Sequence, residues 1–155
     1  MMFLLIPIWE SFYFYWIHRF LHIPFLYKHV HALHHRNINV GPWSGLSMHP
    51  VEHVIFLGSV MIHWIIAAHP VHILFHLQYY ALTAATTHTG FEGVAVKDEN
   101  RLALGRFHHQ MHHRYFECNY GSLEIPWDKF FGSFHDGTVE ADKRMKERRI
   151  RMMGN

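Results

Sequence analysis

The longest stretch of this chain without a positive charge limits its fold more than any other feature. No Lys or Arg lies between Arg36 and Lys97, and these sixty residues contain only two acids, Glu52 and Glu92. The surface of a soluble domain is normally rich in charged side chains, so a gap of this length is rare there. We therefore expect this stretch to enter a membrane. A buried hairpin in a soluble helical protein is the alternative.

Three apolar segments fit that expectation. They span residues 1–17, 51–69 and 71–87, and Pro70 separates the last two. At ~1.5 Å per residue, helices over the last two would be ~28 Å and ~26 Å long, close to the ~30 Å of a hydrocarbon core. The first segment has neither a basic start nor a small-residue cleavage site, so we expect no cleaved signal peptide. The pattern predicts an all-α integral membrane protein.

The basic residues collect at the end of the chain. Residues 140–151 hold six basic and three acidic side chains, whereas the whole chain has a net charge of +2. We interpret residues 1–136 as one domain, in which 89–104 form a polar loop, and residues 137–155 as a charged tail. The net charge is too small to indicate a nucleic-acid partner.

The apolar segments also predict a topology. One crossing by the first segment and a hairpin over the other two would leave nearly all Lys and Arg on one side. The positive-inside tendency makes that side cytoplasmic. We expect transmembrane helices with a histidine-rich helical cap on the cytoplasmic face, in the endoplasmic reticulum of a eukaryote or the inner or plasma membrane of a bacterium.

Histidine is unusually frequent, with 18 among 155 residues, and eight of these occur in three clusters with helical spacing. The first cluster is HxxxH, and the second and third share the pattern HxxHH. Residues at i, i+3 and i+4 lie on one side of a helix, so we expect each cluster to converge on a point where a metal can bind. Eight imidazoles exceed the needs of one ion and predict two ions with open coordination positions. The clusters are His18 and His22, then His31, His34 and His35, then His109, His112 and His113.

The residue types narrow the metal chemistry without identifying the metal. Imidazole binds Zn, Cu, Fe and Ni. The Glu-x-x-His pattern of carboxylate di-iron bundles is absent from the sequence, and Cys118 is the single cysteine. The ligands should therefore be mostly neutral nitrogens.

Two other sites compete for the histidines. The segment 49–53 reads HPVEH, which matches the HxxEH signature of an inverted zinc protease but explains none of the clusters. His63, His72 and His76 in the apolar hairpin could ligate a haem. For these residues, and for His29, His69 and His135, we favour a solvated or hydrogen-bonded role without metal.

The clusters and their surroundings resemble the fatty acid hydroxylase superfamily of membrane di-iron enzymes. The motifs HRFLH, HALHH and HHQMHH occur in the order found in that superfamily. The blocks MHPVE, THTGFE and NYGSLEIPWDKFFGSF are similar to those of its sterol desaturase branch, which includes sterol C5-desaturases and C4-methylsterol oxidases. The resemblance covers roughly residues 9–134. Family members usually have a further transmembrane hairpin before the segment 1–17, and Glu10 stands where an Asp is common.

The resemblance implies a ligand set with one more member than the clusters. His88, in the THTG block, would join the eight clustered histidines. His49 and His108 are two further candidates, and no catalytic residue is implied beyond the metal ligands. Asn119, Tyr120 and Gly121 resemble the family's turn after the last cluster.

The resemblance also implies an activity. It predicts an oxidoreductase that holds two iron ions, uses O2 as co-substrate, and hydroxylates or desaturates an unactivated C–H bond of a sterol or fatty acyl lipid taken from the bilayer. Electrons would come from a cytochrome b5 or a ferredoxin with its reductase, since the chain has no nucleotide-binding motif. The alternative is a non-catalytic histidine-rich membrane protein that binds metal, or an inactive remnant of the family.

Overall fold

The computed structural model describes the chain except residues 39, 89–92, 96–100, 104–105, 123–124 and 154–155. Most of the described residues are helical, which confirms the helical part of the predicted fold class. The α-helices are α1 (Met2–Leu21), α2 (Pro24–His29), α3 (Pro50–Leu57), α4 (Pro70–Thr87), α5 (Arg106–Tyr115), α6 (Trp127–Phe130) and α7 (Val139–Met153). Three 3-10 helices lie at His31–Arg36, Pro42–Leu46 and Gly58–Trp64.

A short antiparallel pair of strands interrupts the helical pattern. Strand β1 (Gly93–Ala95) pairs with β2 (Arg101–Ala103), with Val94 opposite Leu102. The sequence analysis predicted only a polar loop here, because three-residue strands are too short to show an alternating pattern. The pair lies between α4, which ends next to His88, and α5, which carries the third histidine cluster.

Helix α1 turns one face to the interior and an apolar face outward. Glu10 and His18, eight residues apart, are both buried. Side chains four residues apart lie above one another on a helix, so the exposed ones form a continuous stripe. The stripe consists of Leu4, Ile8, Phe12, Trp16 and Phe20.

The segment 51–69 is not the single long helix that its composition predicted. Helix α3 ends at Leu57, and a 3-10 helix continues from Gly58 to Trp64. Side chains of α1 satisfy carbonyls at this change of geometry: Tyr13 donates to the Ile55 carbonyl at 2.8 Å and Trp9 to the Ser59 carbonyl at 2.9 Å. The segment 71–87 does form one helix, α4.

A small apolar core joins α1, α3 and α4. Leu21, Phe56 and Tyr80 are buried together at its centre, and Phe14 and Met48 pack against them. These helices hold the histidine-bearing segments in place. Among the described residues, no helix combines the length and apolar character needed to cross a membrane. The membrane part of the fold class and the division of the chain at residue 136 stay predictions.

Candidate metal centre

All nine histidines that the sequence analysis selected meet in the interior, where they form two groups. In each group, one ring nitrogen of every member lies within 4.8 Å of the others. Eight of the nine side chains are buried, and His22 is half-buried. The five-histidine group comprises His18, His22, His31, His35 and His112. The four-histidine group comprises His34, His88, His109 and His113.

The division runs through each HxxHH cluster, which corrects the expectation that a cluster converges on one point. His31 and His35 enter the five-histidine group, while His34 between them enters the other. In α5 the assignment is reversed: His109 and His113 belong to the four-histidine group, and His112 belongs to the five-histidine group. In both clusters the residues four apart share a group and their neighbour joins the other, although the second cluster lies in a 3-10 helix and the third in an α-helix.

The spacing of the Nε2 atoms matches the first coordination sphere of a metal ion. In the five-histidine group, Nε2 of His35 lies 3.0 Å from that of His31, 3.2 Å from that of His22 and 3.1 Å from that of His112. In the four-histidine group, Nε2 of His109 lies 2.9 Å from that of His88 and 3.1 Å from that of His113, and the last two are 3.3 Å apart. Metal–nitrogen bonds of about 2.1 Å at right or tetrahedral angles put neighbouring nitrogens ~3.0–3.4 Å apart.

Hydrogen bonds on the opposite ring nitrogen give several imidazoles the tautomer that a metal requires. His18 Nδ1 donates to the Tyr120 carbonyl at 2.7 Å, and His112 Nδ1 donates to the Cys118 carbonyl at 2.6 Å. A proton on Nδ1 leaves the Nε2 lone pair free to bind a metal. His18 Nε2 is buried and has no hydrogen-bond partner in the described part of the chain, as expected of a metal-binding atom.

One carboxylate takes part in the same arrangement. His31 Nδ1 lies 2.6 Å from Glu52 Oε1, and both side chains are fully buried. His88 Nδ1 donates instead to the Ala84 carbonyl at 2.7 Å, one turn back along α4. Both contacts orient the ring and strengthen the nitrogen that faces the group.

The turn at residues 118–121, which is fixed by hydrogen bonds, carries the two carbonyls that orient His18 and His112. Asn119 adopts the left-handed conformation with φ +53°, and its side chain donates to the His135 carbonyl at 2.9 Å. Asp128 accepts from the backbone N–H groups of Tyr120 at 2.9 Å and Gly121 at 2.8 Å. The turn that the sequence resemblance singled out therefore positions two ligands from different helices.

Burial keeps these imidazoles neutral, and neighbouring imidazoles add to the effect for most of them. The pKa falls to about 4 for His18 and His88, to about 3 for His113 and to about 2 for His22. The pKa lies well below its usual range for His31, His34, His35, His109 and His112. Neutral imidazole is the form that binds a metal, so the site needs no deprotonation near neutral pH.

A narrow apolar cleft of about 610 Å³, including its open mouth, reaches the histidines from between the helices. Members of both groups line one end, among them His18 and His88. Phe14, Phe56 and Ala84 line its walls. Its apolar walls suit an apolar ligand.

Comparison with known proteins gives the family of the chain. The family model for fatty acid hydroxylases matches residues 3–133. The chain belongs to the fatty acid hydroxylase family. It is 32% identical over 130 residues to a Delta(7)-sterol 5(6)-desaturase of Gibberella zeae, which covers 83% of this chain and 40% of that protein. It is 37% identical over 129 residues to the lathosterol oxidase of Rattus norvegicus, which covers 81% of this chain and 42% of that protein.

The family assignment confirms the resemblance seen in the sequence. The chain spans about two fifths of the length of the curated relatives it matches. A putative Delta(7)-sterol-C5(6)-desaturase of Arabidopsis thaliana is 32% identical over 132 residues, covering 83% of this chain and 46% of that protein. No solved structure matches the chain.

The two further candidates, His49 and His108, lie outside both groups. His49 precedes α3, and its Nδ1 accepts from the Val51 N–H at 3.2 Å. His108 Nε2 lies 3.5 Å from an oxygen of Asp128. Its neighbour His109 faces the four-histidine group, and adjacent residues of a helix cannot share that direction.

The competing sites gain no support from the geometry. In the HPVEH segment, Glu52 contacts His31, and His53 Nε2 lies 3.1 Å from the Leu46 carbonyl. In the apolar hairpin, His63 and His76 face each other at 3.1 Å. Neither segment contributes to a metal group among the described residues.

Sequence reasoning missed two of the residues that orient the ligands, Glu52 and Cys118. Glu52 was one of only two acids in a stretch of sixty residues, and that isolation was the available signal. Cys118 acts through its backbone carbonyl, which nothing in the sequence reveals. Burial raises the pKa of its thiol to about 12, so it carries no thiolate that could bind a metal.

Proposed function

We propose that this chain forms the metal-binding region of an O2-dependent lipid oxidoreductase with one iron ion in each histidine group. Its reaction is the hydroxylation or desaturation of an unactivated C–H bond. One observation carries the proposal: nine neutral histidines, eight of them buried, form two groups at the end of an apolar cleft. The names of the relatives, Delta(7)-sterol 5(6)-desaturase and lathosterol oxidase, support a sterol as the substrate.

The donor set fits iron. Each group offers only imidazole nitrogens, and imidazole is a common ligand of iron and other first-row metals. Bound iron would supply the activation of O2 and the removal of a hydrogen atom from carbon, which no amino-acid side chain can perform. The nine proposed ligands are His18, His22, His31, His34, His35, His88, His109, His112 and His113.

The protein's own contribution is to orient the ligands and to exclude water. The Tyr120 and Cys118 carbonyls hold the Nδ1 protons of His18 and His112, so these rings cannot rotate freely. Glu52 does the same for His31. The apolar walls of the cleft bind the hydrocarbon part of the lipid and keep bulk water from the reacting carbon.

The proposed surroundings are a membrane and an electron donor. The exposed apolar stripe on α1, from Leu4 to Phe20, would contact lipid, and the substrate would enter from the bilayer. The charge pattern of the chain favours a cytoplasmic position for the histidine site. Electrons would come from a cytochrome b5 or a ferredoxin with its reductase, as the resemblance to the family implies.

Metal analysis of ligand variants tests this function. We expect about two iron ions per purified chain, and loss of about one ion in His34→Ala and in His112→Ala, which affect different groups. Each variant should also lose oxidation of a lipid extract in the presence of reductant and donor. His29→Ala, at an exposed position outside both groups, is the matched control.

A different result would point to another class of protein. Bound zinc, with no O2 consumption when donor and lipid are present, would identify a non-catalytic metal-binding protein. Unchanged metal content in both ligand variants would refute the assignment of the two groups.

A further inference from the structure

The cleft has a polar floor, which we define as Glu10 and Tyr80. Both side chains line the cleft and are more than nine-tenths buried. Glu10 precedes His18 by eight residues on α1, and Tyr80 precedes His88 by eight residues at the end of α4. Eight residues of α-helix span about 12 Å. Along the axes of α1 and α4, the polar floor therefore lies about 12 Å from His18 and His88, and apolar side chains such as Phe14 and Ala84 line the cleft between them.

Tyr80 has an unused hydroxyl group. Its oxygen is buried and forms no hydrogen bond with any described residue. A buried hydroxyl without a partner is unfavourable, and native structures rarely retain one without a reason. The hydroxyl belongs to a side chain in the wall of the cleft, where a bound molecule could pair with it.

Glu10 is held in place from behind. Its Oε2 atom accepts from His76 Nε2 at 2.8 Å, and His76 Nδ1 lies 3.1 Å from His63 Nε2. His76 and Tyr80 are four residues apart, so they share one face of α4. This arrangement fixes the carboxylate beside the cleft and places it on the same side as the Tyr80 ring.

We propose that the polar floor binds the hydroxyl group of an otherwise apolar lipid. An alcohol can accept a hydrogen bond from Tyr80 and donate one to Glu10. A carboxylate cannot donate to Glu10 and is repelled by its charge, and an alkane leaves both groups unpaired. The floor selects neutral lipid alcohols over fatty acids.

This inference rests on the proposed function, because it requires that the cleft holds a lipid. Its test is equilibrium binding of three matched ligands, 1-dodecanol, dodecanoate and dodecane, to the full chain at a fixed detergent concentration. We expect the alcohol to bind most tightly. Tyr80→Phe should weaken alcohol binding roughly three- to tenfold, the effect of one hydrogen bond, and leave alkane binding unchanged.

A second variant tests the charge of the floor. Glu10→Gln keeps an acceptor for His76 but removes the negative charge, so it should strengthen dodecanoate binding relative to the alcohol. Tyr115→Phe removes a hydroxyl outside the cleft and serves as the control. Circular dichroism would establish that each variant is folded. Tyr80→Phe removes only a hydroxyl that pairs with none of the described residues, so it should fold as the parent does.

The results of these binding experiments distinguish the hydroxyl site from the proposed lipid oxidoreductase function. Equal binding of alcohol and alkane by the parent chain, or an unchanged ratio in Tyr80→Phe, would refute the hydroxyl site and leave the lipid oxidoreductase standing. Failure of all three ligands to bind would refute the lipid cleft itself, and the hydroxyl site with it.

Discussion

The contact between Glu52 and His31 allows a quantitative test of how the protein controls its metal affinity. The 2.6 Å separation of Glu52 Oε1 and His31 Nδ1 is short, and both side chains are fully buried. A hydrogen bond contributes about 0.5–1.5 kcal/mol between neutral groups and about 1.5–3 kcal/mol to a charged group, which together correspond to a factor of roughly 2–150 in an equilibrium constant. Groups that orient metal-bound histidines have effects of about 10- to 100-fold.

Two substitutions separate charge from hydrogen bonding. Glu52→Leu removes the acceptor, so we expect the metal affinity of the five-histidine group to fall about 10- to 100-fold. Glu52→Gln retains an amide oxygen that can accept from His31, so we expect a loss of only about three- to tenfold. The four-histidine group, which has no contact with Glu52 among the described residues, should keep its affinity in both variants.

Competition with a graded series of chelators would measure each affinity by itself, that of the five-histidine group in a His34→Ala background and that of the four-histidine group in a His112→Ala background. Glu140→Gln, which neutralises an exposed acid on α7, is the matched control. Parent-like affinity in Glu52→Leu would refute the role assigned to this carboxylate. An equal loss from both groups, together with a lower melting temperature, would show a general effect on folding instead.

Three further predictions follow from the site. The pKa values of His18 and His88 are lowered to about 4, so between pH 4 and 6.5 the unfolded chain binds more protons than the folded chain. The free energy of unfolding of the metal-free protein should therefore fall as the pH decreases through that range. A denaturant titration at several pH values that shows the opposite trend would contradict this prediction. Gly45→Ala should lower the metal content of the four-histidine group, because a Cβ at this position would collide with the backbone of α4 and lie 2.8 Å from His88 Nδ1. Gly41→Ala is the control: a Cβ at that position meets open space, so this variant should keep its full metal content. Asn119→Ala should cost about 1–3 kcal/mol in unfolding free energy, since it removes buried hydrogen bonds at φ +53°; an unchanged melting temperature would exclude that contribution.

The order and spacing of histidines could be read from the sequence because they are local properties. The HxxxH spacing places His18 and His22 on one face of α1, and they do enter the same group. The resemblance to the family added His88, which has no cluster of its own. Helical spacing could not reveal which group each histidine joins, since that depends on the segments packed opposite it.

Long-range contacts explain most of what the sequence did not show. His31 and Glu52 are 21 residues apart, and His112 reaches His35 across 77 residues. The change from α3 to the 3-10 helix also depends on residues distant in sequence, because Tyr13 and Trp9 of α1 donate hydrogen bonds to the carbonyls at that point. Apolar composition alone predicted a continuous helix, as it would for any segment of that kind.

The division of neighbouring histidines has a consequence for how the centre takes up metal. His34 and His35 belong to different groups, and so do His112 and His113. Each pair is joined by a single rigid peptide unit. An ion in one group therefore restrains the backbone that carries ligands of the other, and the entropy lost on binding the first ion need not be lost again. We expect the two ions to load cooperatively, so that chains with one ion are rarer than independent filling would give.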